Sequence, residues 1–294
     1  MSAAAEADAR KPDFFIAGAA RCGTTSMYLY LKQHPEIYVS VLKEPHFFAR
    51  DLTRPPQGIR DERVYLDLFA AAGDEKRLGE ASVWYLSSRT APRDIAAFSP
   101  HARILIMLRD PVEMLHSLWS LYLRTGNEEL QDFAAAVDAA AERRAGRRLP
   151  ATTYFPEGLQ YLEVGRYSEK VARWLDTFSR GRVKVILFED FRRNTPAVYR
   201  DTLEFLEVDP AFQPEYDLAK ATRLVRDEVL RQLRRVPPEI RFQMRGSGRN
   251  HTSRERRPYP AELRERLRRD LSADIQALGA LLGRDLSNWS GRAS

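Results

Sequence analysis

Short apolar runs alternate along this chain with longer stretches in which apolar positions recur every three to four residues. Phe14–Ala17, Arg77–Ala81, Arg103–Arg109 and Val183–Phe188 read as strands. Helical periodicity covers Thr24–His34, Arg60–Phe69, Pro111–Arg124, Leu130–Arg144, Tyr161–Phe178, Thr195–Leu206, Asp227–Met244 and Pro260–Leu282. The strand segments are largely continuous apolar runs without polar alternation, which implies that both faces of their sheet are covered. Strands separated by helices then predict an α/β fold, a central parallel sheet flanked by helices on both faces. Several helix starts are explicit. Asp110-Pro111-x-Glu113 supplies a capping carboxylate, a proline at the first helical position and an acid in the first turn. Thr195-Pro196 and Tyr259-Pro260 repeat the proline signal.

Two of the strands end in turns loaded with chemistry. The first runs into Gly18-Ala19-Ala20-Arg21-Cys22-Gly23-Thr24-Thr25-Ser26. A strand, a glycine-framed turn and a helix N-terminus make a phosphate cradle, because free N–H groups and the positive end of the helix dipole point at the same place. The spacing is that of a nucleotide P-loop, yet Thr24-Thr25 stands where an ATPase or GTPase needs lysine followed by serine or threonine. The cation comes earlier, at Arg21. The expected ligand therefore bears phosphate without being a triphosphate. The second turn is Arg109-Asp110-Pro111, followed by a helix that carries Ser117. Ligands of open parallel sheets bind beyond the carboxyl ends of the strands, so these two turns are placed to face one ligand from both sides.

The chain has 294 residues, with no internal repeat and no low-complexity linker. One domain over residues 12–294 is expected behind a frayed tail over 1–11, with Thr125–Tyr161 as a candidate lid insertion. No apolar run approaches the roughly 18 residues of a membrane span. The single cysteine excludes an intramolecular disulfide, and a cytoplasmic location is the expectation it suggests. The net charge of +6 comes largely from arginines, dense between Arg223 and Arg269. Acidic residues interspersed there fit a solvated helix surface, while the excess of cations fits an anionic cofactor or substrate. Basic residues are not interleaved with aromatics in a nucleic-acid-binding pattern, so no nucleic-acid partner is expected. His34, His101, His116 and His251 have no ligand spacing, and no metal site is expected.

A third segment, Lys43-Glu44-Pro45-His46-Phe47-Phe48, completes a set of three with Gly18–Ser26 and Leu108–Ser117. In that order and at those spacings the chain resembles the sulfotransferases that use 3′-phosphoadenosine-5′-phosphosulfate (PAPS). It is most similar to the branch that holds heparan sulfate sulfotransferases and many bacterial homologues. The resemblance extends to Gly79-Glu80-Ala81-Ser82, to Tyr167 through Trp174, and to the closing Leu282–Trp289.

This resemblance implies a P-loop-type fold and a metal-independent in-line transfer, with adenosine 3′,5′-bisphosphate as the product. The acceptor implied is a hydroxyl, or an amine, of a small molecule, lipid or saccharide. Residues Arg21, Cys22, Gly23, Thr24, Thr25 and Ser26 match the loop that binds the 5′-phosphosulfate, with Cys22 a small packing residue rather than a nucleophile. Arg21 stands where many relatives have lysine. It keeps a permanent charge but donates a proton less readily. Arg109 and Ser117 match the pair that holds the 3′-phosphate, and Arg256 or Arg257 is a further candidate for the same group. Glu44 matches the general base, with His46 as its rival. Trp84 and Tyr85 follow the Glu80–Ser82 strand end, placed either to line the acceptor cleft or to pack the core. Many heparan-type relatives carry lysine at the position of Ala81, which weighs against a glycosaminoglycan acceptor. Two other readings stay open at this point, an ATP-using P-loop kinase or nucleotidase and a non-catalytic polyanion-binding protein.

Overall fold

The computed structural model describes residues 10–53, 58–233 and 259–291. Among the described residues five strands form one sheet, and each pairs with its neighbours in parallel. They are β1 (Phe14–Gly18), β2 (Ile37–Val39), β3 (Arg77–Ala81), β4 (Arg103–Leu108) and β5 (Val183–Leu187), in the spatial order β2-β3-β1-β4-β5. All five residues of β1 are buried, as are the last five of β4, which is what their unbroken apolar sequences require of central strands.

The helices are α1 (Thr24–Leu31), α2 (Glu62–Asp67), α3 (Ala91–Phe98), α4 (Pro111–Thr125), α5 (Phe133–Asp138), α6 (Ala140–Arg144), α7 (Tyr161–Gly165), α8 (Ser168–Thr177), α9 (Phe188–Arg193), α10 (Thr195–Leu206), α11 (Leu218–Leu233) and α12 (Ala261–Leu282). Local chemistry sets several of their ends. The Asp110 carboxylate accepts from the Val112 N–H, Pro111 opens the helix, and Gly126 at φ 77° closes it. Asn194 caps α10 by accepting from Ala197 N–H.

The differences from the sequence reading have tertiary causes. β2 is only three residues long and exists by pairing with β3, Ile37 against Arg77. α9 begins directly at the end of β5, where the sequence reads as continued strand. The expected helix over Tyr161–Phe178 is two helices, because Asp274 of α12 accepts from the N–H groups of Tyr167 (2.7 Å) and Ser168 (3.2 Å) and so founds a new N-terminus. The stretch expected as a helix over Leu130–Arg144 divides at Ala139 into α5 and α6. Of the expected helix Asp227–Met244, the described part belongs to α11, and residues 234–244 lie outside the described residues. Of the expected tail, residues 1–9 also lie outside, while Arg10 donates to the carbonyls of Gly73 and Glu75.

The candidate lid, Thr125–Tyr161, is tied into the core. Arg143 and Glu128, both buried, form an ion pair at 2.7 Å. Glu128 also accepts from Tyr161 Oη at 2.9 Å and from the N–H of Leu130 at 2.9 Å. Phe133, Phe155 and Leu159 are buried around it.

Candidate active site

The sheet order turns segments far apart in sequence into a row. At the carboxyl edge stand, in spatial order, the loop after β2 with Glu44 and His46, the end of β3 with Glu80 and Ser82, the Gly18–Ser26 loop after β1, the Arg109-Asp110 turn after β4, and α9 after β5. The chain lays β2 and β3 to one side of β1 and β4 and β5 to the other. The crevice between β1 and β4 is therefore the switch point at which such sheets bind ligands.

The loop after β1 is built as a cradle. Gly23 caps α1 at φ 87°, and a Cβ there would lie 2.9 Å from Phe188 Cδ2, so glycine is needed both for the conformation and for the close approach. The first ladder bond of α1 runs from Met27 N–H to Gly23 C=O, leaving the N–H groups of Thr24, Thr25 and Ser26 ahead of the ladder. No side chain caps this end. Thr24 is buried, Thr25 exposed and Ser26 half-buried. The Cys22 side chain is buried, and burial pushes its thiol up to about 12, so it is a packing group.

Arg21, at φ 62°, swings across the crevice, and its Nε donates to Ser117 Oγ of α4 at 2.9 Å. Its guanidinium is held below its ordinary value, first by burial and then by repulsion from Arg124 and Arg109. Arg109 lies over the Phe188 ring at 5.2 Å. Arg124 is a residue the sequence reading missed; it stands seven residues, two helical turns, beyond Ser117 and so on the same side of α4. Three guanidiniums, two of which repel the Arg21 group, a hydroxyl and a helix N-terminus fit a ligand carrying more than one anionic group. Asp110 accepts from Val112 N–H at 2.9 Å and its carboxyl is pushed up to about 6, by burial first. Arg256 and Arg257 lie outside the described residues.

The loop after β2 carries the two base candidates side by side. Glu44 Oε2 accepts from Val83 N–H at 2.8 Å and lies 3.4 Å from His46 Nε2, while Oε1 pairs with Lys43. Burial works to raise the Glu44 carboxyl, but Lys43, His46 and the Val83 N–H outweigh it, and the group lies below its ordinary value. His46 is pushed down to about 4 by burial and is neutral at pH 7. Glu44 retains 20% side-chain exposure against 3% for His46, so the carboxylate is the one of the two that a ligand can reach. Trp84 and Tyr85 are both buried. Tyr85 is fully enclosed with its hydroxyl on Glu80 (2.6 Å), and Trp84 stacks on Phe155 at 4.5 Å.

The model of the sulfotransferase domain matches residues 11–237, and this chain belongs to that family. It is 31% identical over 251 residues to carbohydrate sulfotransferase 15 of Rattus norvegicus, a match covering 68% of this chain and 44% of that protein. The chain thus spans less than half the length of that relative. A crystal structure of a sulfotransferase from Alicyclobacillus acidocaldarius is 33% identical with a TM-score of 0.76, covering 95% of this chain and 99% of that one. The mouse sulfotransferase SULT7A1, complexed with PAP, shares the fold at 13% identity with a TM-score of 0.54, over 97% of this chain and 90% of that one. The chain therefore has the P-loop-like fold of the sulfotransferase domain family to which it belongs. The cytoplasmic expectation is corrected by the same comparison. A carbohydrate sulfotransferase more than twice the length of the matched stretch is the relative at hand, and a lone cysteine does not place the chain in a compartment. No helix among the described residues is long and apolar enough to cross a membrane.

Proposed function

We propose that this chain transfers a sulfuryl group from PAPS to an acceptor hydroxyl, and that residues 12–294 act as one domain in doing so. The observation that carries the reading is the Arg21–Ser117 hydrogen bond, which brings the loop for a 5′-phosphosulfate and the helix for a 3′-phosphate to one crevice, with Arg109 and Arg124 beside it. PAPS would supply a sulfuryl group bonded to a phosphate leaving group. Arg21 and the N–H groups of Gly23 to Ser26 hold the phosphate on the leaving side, where fixed donors stabilise growing negative charge. Arg109, Ser117 and Arg124 hold the 3′-phosphate, with Arg256 or Arg257 as a further contact.

Glu44 accepts the proton of the attacking hydroxyl. Lys43 and the Val83 N–H fix its carboxylate, and the neutral His46 ring backs it. The acceptor is a saccharide hydroxyl, in keeping with the name of the rat relative. The test is calorimetry of adenosine 3′,5′-bisphosphate against 5′-AMP and Mg·ATP, with wild type and Arg109→Ala. Preference for the bisphosphate, reduced in the variant, is expected. Equal or tighter binding of Mg·ATP would overturn the reading in favour of a kinase.

A further inference from the structure

Behind the Glu44 loop lies a carboxylate that proton transfer does not use. Glu80, next to last in β3, is fully buried. Three hydroxyls donate to it: Tyr85 at 2.6 Å and Tyr65 at 3.1 Å to Oε1, and Ser82 at 2.7 Å to Oε2. Two of these hydroxyls make a second bond, and both second bonds end on the main chain of the Glu44 loop. Ser82 Oγ accepts from His46 N–H at 3.0 Å, and Tyr85 Oη accepts from Phe48 N–H at 3.3 Å.

The direction of each bond matters. A hydroxyl has one proton, and while it is given to Glu80 only lone pairs remain to face the loop, where two N–H groups need acceptors. In its ionised form the Glu80 carboxylate is acceptor-only, and it then sets the proton order of the whole network. The loop needs such holding, because Glu44 and His46 sit at φ 67° and 51°, a left-handed conformation that side chains disfavour. The Glu44 N–H is itself tied to Ala81 C=O at 2.8 Å, in the residue after Glu80.

We infer that Glu80 is a positioning residue for sulfuryl transfer: through Ser82 and Tyr85 it holds the main chain at residues 46–48, and so keeps the Glu44 carboxylate and the His46 ring at the cleft. The inference rests on the assignment of Glu44 as the base.

The test combines turnover with amide hydrogen exchange, in Glu80→Gln, Ser82→Ala, Glu44→Gln and the double variant Glu80→Gln/Glu44→Gln. Turnover uses PAPS and a panel of hydroxylated oligosaccharides. In Glu80→Gln the introduced amide must donate where the carboxylate only accepts, and Ser82→Ala deletes one link outright. Each should lower kcat about tenfold, with the KM for PAPS within about twofold of wild type, and should speed exchange over residues 43–49 while β1 and β4 stay protected. In the Glu44→Gln background, Glu80→Gln should change kcat by less than about twofold, because its effect passes through Glu44. Undiminished protection of 43–49 in both single variants would overturn the inference, as would a fully additive loss in the double variant. Should Glu80→Gln fail to fold, Ser82→Ala decides by the same two readouts. If Glu44→Gln alone kept wild-type turnover, the base assignment would fall, and the exchange data would still decide whether Glu80 holds the loop.

Discussion

Arg21 and Ser117 lie 96 positions apart in the chain and are joined by a 2.9 Å hydrogen bond. One belongs to the turn after β1, the other to the second turn of α4, and the bond spans the crevice between β1 and β4. It links two groups expected to bind opposite ends of one nucleotide. Arg109 and Arg124 are near enough to depress the Arg21 guanidinium, so three cations are gathered around this bond.

Removing the base should separate chemistry from binding. Glu44→Gln keeps the shape of the side chain and an oxygen for the Val83 N–H, but it cannot take a proton. Turnover is expected to fall by about two to four orders of magnitude. Affinity for adenosine 3′,5′-bisphosphate should stay within a factor of about two by calorimetry.

The guanidinium cluster should act on binding. Arg109→Ala and Arg124→Ala each remove a charged donor, a loss of about 1.5–3 kcal/mol, which weakens bisphosphate binding by about tenfold to a hundredfold. Ser117→Ala should cost less, because a neutral hydroxyl is lost. Calorimetry of the bisphosphate beside 5′-AMP checks the point: the Arg109 change should erase most of the preference between them.

The stretch Thr125–Tyr161 should depend on its buried ion pair. Arg143→Met leaves Glu128 enclosed without its cation and should destabilise the protein by about 3–5 kcal/mol in denaturant unfolding. Changing Glu128→Gln in the same chain should recover part of the loss, since no uncompensated charge then remains.

Glu80 should give stability a pH signature. Its carboxyl is raised to about 7, first by burial and also by the nearby Glu44, against the hydrogen bonds from Tyr85, Ser82 and Tyr65 of α2, which lower it. The stabilisation tied to a raised acid is fully present below its unfolded value and is lost as pH rises through the folded one. Wild type should therefore lose stability between about pH 5 and pH 8 relative to Glu80→Gln, which does not titrate, by an amount on the order of 1–3 kcal/mol. Thermal unfolding of the two proteins across that range checks the sign.

Much of this was legible in the chain because local sequence carries it. The apolar runs Phe14–Ala17 and Arg103–Leu108 are strands since nothing but a doubly covered sheet buries them, and Asp110-Pro111 starts α4 by its own chemistry. The turn after β1 was readable for the same reason, because its glycine and the helix start are neighbours in sequence. Other features were not local. β2 needs β3 beside it, and the break before α8 needs a carboxylate from α12, more than a hundred positions away.

The sequence by itself determined the strands, the cradle and the residue types able to bind phosphate and accept a proton. Only the tertiary structure decided which of them meet. The order β2-β3-β1-β4-β5 sets the Glu44 loop, Glu80, Arg21 and Arg109 along one edge, adds Arg124 from two turns past Ser117, and sets the Tyr85 hydroxyl on Glu80. The physical reason is that burial, charge repulsion and hydrogen-bond direction are properties of neighbours in space, and strand order chooses those neighbours.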